Sequence, residues 1–181
     1  MIRSRKYLWL IGLLMLLGLV WGQNRVPQPS PEALKGVDAV RAMELANAWG
    51  MQKASVQSYV TPQRIHFSFS NGQKWQVALP ADRMVVAIAP YITRTHPCKV
   101  HYMSSCQGEL VQTSARVVAT NAEGKEVFRG TVKTLENGFL ELWLPRNQSY
   151  QLSLEALGRS VTGLISTFSN SDTCITTFRL R

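Results

Sequence analysis

The side chains best suited to metal or redox chemistry are concentrated in one short segment of this chain. The stretch "THPCKVHYMSSCQGEL", from Thr95 to Leu110, contains two of the three cysteines, two of the three histidines and a methionine. The third cysteine, Cys174, lies near the carboxyl end of the sequence. Thiolate, thioether and imidazole groups are the ligands that soft metal ions select. The segment therefore indicates either a metal site or a disulfide with polar neighbours.

The residue types limit which metal fits. Three thiolates that converge at one end of a small fold suit Cu(I), which soft sulfur ligands select. A closed zinc site would need a fourth protein ligand, and His96 or His101 could supply it. The chain has no Cys-x-x-Cys, so the spacing is neither that of a zinc finger nor that of a thioredoxin-like motif. The candidate metal ligands are Cys98, Cys106 and Cys174, together with His96 and His101.

A purely structural role for the cysteines is the alternative. In an exported protein, a disulfide between Cys106 and Cys174 could join the first and last strands of a sandwich and contribute about 2 to 4 kcal/mol. The protein would then be a disulfide-stapled β-sandwich binding module with no metal role. The odd cysteine count leaves at least one thiol unexplained by such a bridge. Spacing alone leaves both hypotheses open.

Three other residues near these motifs receive structural interpretations. His66 lies within a predicted strand, and Met103 is typical of a loop or core methionine, although its thioether could bind a soft ion. Glu109 follows Cys106 by three positions on a predicted strand, so its side chain would point to the opposite face. We therefore interpret Glu109 as a surface charge and rank a zinc-dependent hydrolase below the other hypotheses.

The first residues predict export. Arg3, Arg5 and Lys6 precede an apolar run, Tyr7 to Val20, that is shorter than the roughly 20 residues of a membrane-spanning helix. This pattern is typical of a secretory signal peptide over residues 1–22, with an uncleaved membrane anchor as the alternative. Cleavage would lower the net charge of +9 by three. The other basic residues are scattered, so we expect no nucleic-acid partner.

Hydrophobic periodicity predicts an α+β fold in two domains. A proline-rich tether, residues 23–31, precedes a helix that begins at Ser30 and Pro31 and ends near Gly50. Alternating segments on both sides of Asn71-Gly72 predict a β-hairpin, and Met84 to Ala89 predicts a buried strand. These elements form an amino-terminal α+β domain over residues 32–92.

The remaining residues, 93–181, predict an antiparallel β-sandwich that carries the cysteines. Short alternating runs recur between turn signals such as Asn137-Gly138. The predicted strands are Leu110 to Ala119, Glu126 to Val132, Phe139 to Leu144, Tyr150 to Ala156, Ser160 to Phe168 and Ile175 to Leu180. Cys106 would then begin the first of these strands and Cys174 the last.

Three segments resemble the CueP family of bacterial periplasmic copper-binding proteins. They are "VTPQRIHFSF" (Val60 to Phe69), "APYITRTHPCKVHYMSSCQGEL" (Ala89 to Leu110) and "SNSDTCITTFRL" (Ser169 to Leu180). The most specific parts are Thr-His-Pro-Cys, Cys-Gln-Gly-Glu-Leu and the final Thr-Cys. The similarity extends from the helix near Ala33 to the last strand.

This resemblance implies a periplasmic protein of copper tolerance whose copper-binding and redox residues are Cys98, Cys106 and Cys174. It implies that Cu(II) is reduced to Cu(I) at the thiols, without the protein being a conventional enzyme. It also implies a homodimer and an exported copper enzyme as recipient of the metal. Because an oxidising periplasm converts thiols to disulfides, we expect a thiol-reducing partner of the disulfide isomerase type.

Overall fold

The computed structural model describes residues 26–181 and confirms the predicted α+β fold. The predicted signal peptide lies outside the described residues. The helical elements are a single 3₁₀ turn, Glu32–Leu34, and one α-helix, α1, Ala39–Met51. The strands are β1 Val56–Val60, β2 Arg64–Phe69, β3 Lys74–Ala78, β4 Arg83–Ile88, β5 Ser114–Asn121, β6 Glu126–Lys133, β7 Leu140–Pro145, β8 Ser149–Ala156, β9 Arg159–Ser166 and β10 Cys174–Ile175.

The helix begins later than its proline signal predicts. The turn after Pro31 stops at Leu34, and Gly36 adopts a φ of 74°, which interrupts the helical path. Asp38 then caps α1 by accepting a hydrogen bond from the amide of Arg41 at 2.8 Å. The helix therefore starts at Ala39, and the side chain of its second residue, Val40, is 47% exposed.

Three strands follow the helix instead of the predicted hairpin alone. Strand β1, which sequence patterning missed, pairs antiparallel with β2, and β2 pairs antiparallel with β3. The turn at Asn71-Gly72 joins β2 and β3 as predicted, with Gly72 at a φ of 84°. The aromatic side chains of this sheet pack on the helix, where the Trp49 and Phe67 rings meet edge to face.

The second sheet connects distant parts of the chain. Strand β4 pairs antiparallel with β7 on one side and parallel with the two-residue β10 on the other. Cys174 thereby lies opposite Ala87, and Ile175 lies opposite Ile88. The predicted last strand is thus shorter than expected, and it adds one parallel pairing to an otherwise antiparallel set of sheets.

The third sheet is four-stranded and antiparallel, in the order β6-β5-β8-β9. Its strand β8 alternates exposed and buried residues at every position. One continuous core joins α1 to residues of all three sheets. Strand β4, from the predicted amino-terminal domain, pairs with two strands of the predicted carboxy-terminal domain, and the core crosses that boundary.

The end of the predicted tether contacts the folded part of the chain. The indole nitrogen of Trp49 donates a hydrogen bond to the carbonyl of Pro27 at 2.7 Å, and Val26 packs against the core. Within residues 26–181, no helix has the length and apolar character needed to cross a membrane.

The end of α1 touches the loop that carries the cysteines, which makes Gly50 a sensitive position. A Cβ at Gly50 would collide with the carbonyl oxygen of Met103 and lie 3.2 Å from the Cα of Ser104. We expect Gly50→Ala to lower the free energy of unfolding by about 1–3 kcal/mol, because overpacking against backbone forces the loop to move. Chemical denaturation of the reduced protein measures this change.

A matched substitution in a strand provides the control for Gly50→Ala. A Cβ at Gly130 in β6 would meet only the Phe128 ring, at 3.4 Å, which is ordinary contact. Gly130→Ala should therefore leave stability unchanged or raise it slightly through the unfolded state. Equal losses for the two variants would contradict the proposed close approach of helix and loop.

Candidate metal centre

Two parts of the chain bring the three cysteines together. The long connection between β4 and β5 carries Cys98 and Cys106, and β10 carries Cys174. Cys106 does not begin a strand, as the sequence pattern predicted. It lies in a turn in which the Cys106 amide donates to the carbonyl of Tyr102 at 2.8 Å, and β5 starts only at Ser114. Cys98 lies in the loop and Cys174 begins the last strand, as predicted.

Thr173 fixes the loop against β10. Its hydroxyl donates to the carbonyl of Val60 at 2.7 Å and accepts from the amide of His101 at 3.1 Å. Its amide donates to the carbonyl of Lys99 at 2.9 Å. The amide of Val60 in turn donates to the His101 carbonyl at 2.9 Å. These bonds place His101 beside the strand that presents Cys174.

The thiols lie close together but are not bonded. The Sγ atoms of Cys98 and Cys106 are 3.7 Å apart, whereas a disulfide needs about 2.05 Å. The Tyr102 amide donates to the Cys106 sulfur at 3.4 Å, and the Cys98 thiol faces the Val100 carbonyl at 3.1 Å. The disulfide between Cys106 and Cys174 that the structural alternative requires is not formed in this structure.

The side chain of His101 is fully buried and has no hydrogen-bond partner. Its exposure is 0%, and neither ring nitrogen has a partner in the structure. The Nε2 atom lies 3.9 Å from a carboxylate oxygen of Glu141, beyond hydrogen-bond distance, and the ring centroid lies 4.4 Å from that of Phe139. An unsatisfied buried polar group costs about 1–3 kcal/mol, so a ligand that bound His101 would remove this cost.

The ligand atoms form two overlapping sets that share Cys106. The outer set is His96, Cys98 and Cys106, and the inner set is His101, Cys106 and Cys174. Within each set the ligand atoms lie within 4.8 Å of one another. All five candidate metal ligands named from the sequence therefore meet at one place, at the end of β4 where β10 pairs with it.

The three thiols differ in acidity because of their contacts. A hydrogen bond from the Cys174 thiol is the main cause that lowers the pKa of Cys106, and His101 and the Tyr102 amide act in the same direction. The same contact with Cys106, followed by burial, raises the pKa of Cys174. Burial is the main cause that raises the pKa of Cys98. Cys106 is thus the thiolate of the cluster, and a thiolate is the form that binds metal.

Two predicted structural residues lie outside both sets. Met103 is buried in the main core, so its thioether packs there as the core interpretation expected. The ring of His66 stacks on Tyr59 with centroids 4.5 Å apart, and its Nε2 lies 3.3 Å from the Thr61 hydroxyl. Burial and then Arg64 lower the pKa of His66, so it stays neutral near pH 7.

A polar network behind His101 was missed from the sequence. Glu141 on β7 accepts a hydrogen bond from the Asn47 amide nitrogen at 2.8 Å, and Asn137 donates to Asn47 at 3.4 Å. Burial raises the pKa of Glu141. One signal was available, because "FLELWL" places a single acid in an apolar strand. The network connects α1 to the inner set.

Glu109 is an anchor for the loop and not only a surface charge, which corrects the sequence interpretation. Because residues 106–110 form turns and not a strand, its carboxylate turns back towards the loop. It accepts hydrogen bonds from the amides of Ile92, Thr93 and Arg94 at 2.7, 3.0 and 3.3 Å, and from the Thr93 hydroxyl. The Thr93 hydroxyl is the main cause that lowers the pKa of Glu109 to about 2. The anchor fixes the backbone that leads to His96 and Cys98.

Glu109 should impose an acid-dependent change on that backbone. Its pKa is lowered from 4.5 to about 2, so the anchor is complete above pH 4.5 and is lost as the pH falls towards 2. We expect the amide resonances of Ile92, Thr93 and Arg94 to titrate together near pH 2 in NMR spectra. Glu109→Gln should abolish that titration, because the amide side chain carries no charge.

Glu155→Gln provides the matched control, because Glu155 pairs with Arg116 on the exposed surface of the far sheet. That variant should retain the titration of the loop amides. A midpoint near 4.5 in the unsubstituted protein would mean that Glu109 does not hold the loop.

The turn between β6 and β7 covers the cluster. Phe139 packs with Ala87, Ala89, Cys106 and Cys174 in a small apolar group separate from the main core. Gly138 has a φ of 78°, and a Cβ at Gly108 would lie only 2.6 Å from the Gly138 carbonyl oxygen. The absence of a side chain at both glycines therefore allows the two loop backbones to lie close together. The side chains of Cys106 and Cys174 are therefore buried beside an aromatic ring.

The fold and the site define a class of protein. Soft sulfur ligands, a buried imidazole without partners and an apolar cover fit an α+β protein that binds a thiophilic metal ion. Residues 38–179 match the family described as periplasmic copper-binding protein CueP, and the chain belongs to this family. Proteins of this family are periplasmic.

Solved structures agree with this assignment. A crystal structure of S.CueP superposes with a TM-score of 0.77 at 26% sequence identity. The match covers 86% of this chain and 100% of the other. A search of curated proteins gives no match.

Proposed function

We propose that this protein supports copper tolerance by holding Cu(I) at the thiolates of Cys98, Cys106 and Cys174, with imidazole nitrogens completing the coordination. One observation carries the proposal. The His101 ring is fully buried without a hydrogen-bond partner, and its ligand atom lies within 4.8 Å of the sulfurs of Cys106 and Cys174. Evolved cores seldom leave such a group unsatisfied unless a ligand binds it.

Cu(I) fits this site better than harder ions. Thiolate sulfur and imidazole nitrogen suit a soft ion, and the described residues of the two sets include no carboxylate. The buried packing of Phe139 against Cys106 and Cys174 leaves little room for water ligands, and this favours Cu(I), which needs few of them. The copper ion is the cargo of the protein, so the site must both capture and release it.

The close thiols also support a reduction step. Each Cu(II) takes one electron, so Cys98 and Cys106 together reduce two Cu(II) ions to Cu(I), form one disulfide and release the thiol protons. Their separation of 3.7 Å requires only a small movement of the loop to reach bonding distance. Cys174 and His101 remain as ligands for the product. Cys106 supplies the thiolate that coordinates Cu(II) first, because the pKa of its thiol is lowered.

Turnover then needs a partner that restores the thiols. The periplasm is kept oxidising, so the disulfide would persist without a thiol donor. We propose a periplasmic thiol-reducing protein of the disulfide isomerase type for this step, and an exported copper enzyme as recipient of the Cu(I). Cys98 lies on the partly exposed side of the cluster, where an attacking thiol can reach it.

An anaerobic titration tests the copper site. The reduced protein should take Cu(I) from a chromophoric chelator at about one ion per chain, because one pocket supplies the soft ligands. Cys106→Ser should weaken binding by about 100-fold or more, since it removes the thiolate common to both sets. Absorbance of the chelator complex measures both quantities.

His66→Ala is the control for this titration, because His66 lies outside both sets and stacks on Tyr59. It should bind Cu(I) like the unsubstituted protein. A failure of the reduced protein to compete with the chelator would refute the copper site, and an equal loss in His66→Ala would show that it has been misplaced.

Thiol counting tests the reduction step. Anaerobic addition of Cu(II) to the reduced protein should produce two Cu(I) for each disulfide formed and leave one titratable thiol. Mass spectrometry of digests should locate the disulfide between Cys98 and Cys106, whose sulfurs are 3.7 Å apart. Cys98→Ser should lose most of the Cu(II) reduction. A disulfide between Cys106 and Cys174 would instead support the structural alternative.

A further inference from the structure

The two ligand sets differ sharply in their access to solvent. His96 and Cys98, which belong only to the outer set, are partly exposed. His101 and Cys174, which belong only to the inner set, are 0% and 1% exposed. Cys106 belongs to both sets and is 8% exposed. The geometry thus presents one accessible position and one enclosed position that share a ligand.

We propose that copper is captured at the outer set and then passes through Cys106 to the inner set, where it is stored. The proposal rests on the proposed Cu(I) binding and adds the order of the steps and the role of His96. His96 and Cys98 govern the rate of loading, whereas His101 and Cys174 govern the affinity at equilibrium. Cys106 holds the ion throughout the transfer.

The surface around His96 supports its role as the first ligand. His96 lines an open cleft of about 210 Å³, together with Tyr91, Arg94, Gln107 and Glu109. None of the inner-set residues lines this cleft. The oxygens of Glu109 are engaged by the loop amides, which leaves the imidazole of His96 as the free soft ligand of the cleft. A copper ion from solution therefore meets His96 before it meets His101.

Phe139 packs against both imidazole rings. Its ring is fully buried and lies 6.5 Å from the centroid of His96 and 4.4 Å from that of His101. The buried inner set is less accessible to water and small chelators than the partly exposed outer set. An ion in the inner set is protected against loss.

The free energy favours movement towards the inner set. His101 has no hydrogen-bond partner in the structure, so coordination satisfies a ring nitrogen that is otherwise desolvated at a cost. His96 is partly exposed, so its ring can form hydrogen bonds with water when no metal is present. Coordination of a metal by His96 therefore lowers the free energy less than coordination by His101. The difference in solvation gives the transfer its direction.

The transfer needs no change of oxidation state. As the ion moves, the bonds from Cys174 and His101 to Cu(I) form while those from Cys98 and His96 break, and the bond from Cys106 persists. The proton lost by the Cys174 thiol is balanced by the proton that the released Cys98 thiolate takes up. Net charge, electrons and coordination number are conserved.

Stopped-flow loading separates the two roles. Reduced protein is mixed anaerobically with a chromophoric Cu(I) chelator complex, and both the rate and the final equilibrium are recorded. His96→Ala should slow loading by about tenfold and should weaken the equilibrium affinity far less than Cys174→Ser does, because only the accessible position is impaired. Cys174→Ser should instead weaken the equilibrium affinity by about 100-fold, because it removes an inner thiolate.

Gln107→Ala is the matched control, since Gln107 lines the same cleft and belongs to neither ligand set. It should load at the rate of the unsubstituted protein. Equal rates for His96→Ala and Gln107→Ala would refute capture at the outer set. An affinity loss in His96→Ala as large as that in Cys174→Ser would refute the two-position route in favour of one combined site.

The test distinguishes failure of the route from failure of Cu(I) binding. If the unsubstituted reduced protein takes no Cu(I) from the chelator, the proposed function itself fails. If it binds Cu(I) normally and His96→Ala is indistinguishable from it, only the route fails. His96 lies in a partly exposed loop, so its removal leaves the core of the fold intact.

Discussion

The candidate metal centre depends on the short parallel pairing of β10 with β4. This pairing consists of only two residue pairs, yet it determines where Cys174 lies relative to the loop that carries the other cysteines. The hydroxyl and amide of Thr173 extend the same contact to Val60, His101 and Lys99. Three distant parts of the chain therefore meet through backbone groups and one hydroxyl, and the candidate metal ligands need not hold the structure together themselves.

Packing around the cluster gives it one enclosed side and one accessible side. On one side, Phe139 and small alanines enclose the sulfurs of Cys106 and Cys174. On the other side, Glu109 holds the loop that presents His96 and Cys98 to solvent. Helix α1 also packs against this loop, because Gly50 lies close to the backbone of Met103. The two sides of the cluster are thus built from different elements of the fold.

The sequence was informative wherever chemistry or periodicity is local. Soft ligands within one segment indicated the cluster of candidate metal ligands that the fold brings together, and alternating runs between glycine turns predicted most strands. Long-range pairing carries no local signal, so the sequence did not reveal that Cys174 lies on a two-residue strand parallel to β4. The same reason applies to Glu141, whose partner Asn47 lies on the helix, and to Glu109, whose role depends on a turn where a strand was expected.

The position of β4 also has a consequence for the order of assembly. Its partners β7 and β10 come much later in the chain than β4 itself, although β4 is the central strand of their sheet. A chain that crosses a membrane amino end first thus exposes an apolar strand, and two cysteines beside it, before either partner arrives. Contacts of such long sequence separation form slowly. The thiols of Cys98 and Cys106 are thus open to oxidation during biogenesis, before Cys174 and the ring of Phe139 can enclose them.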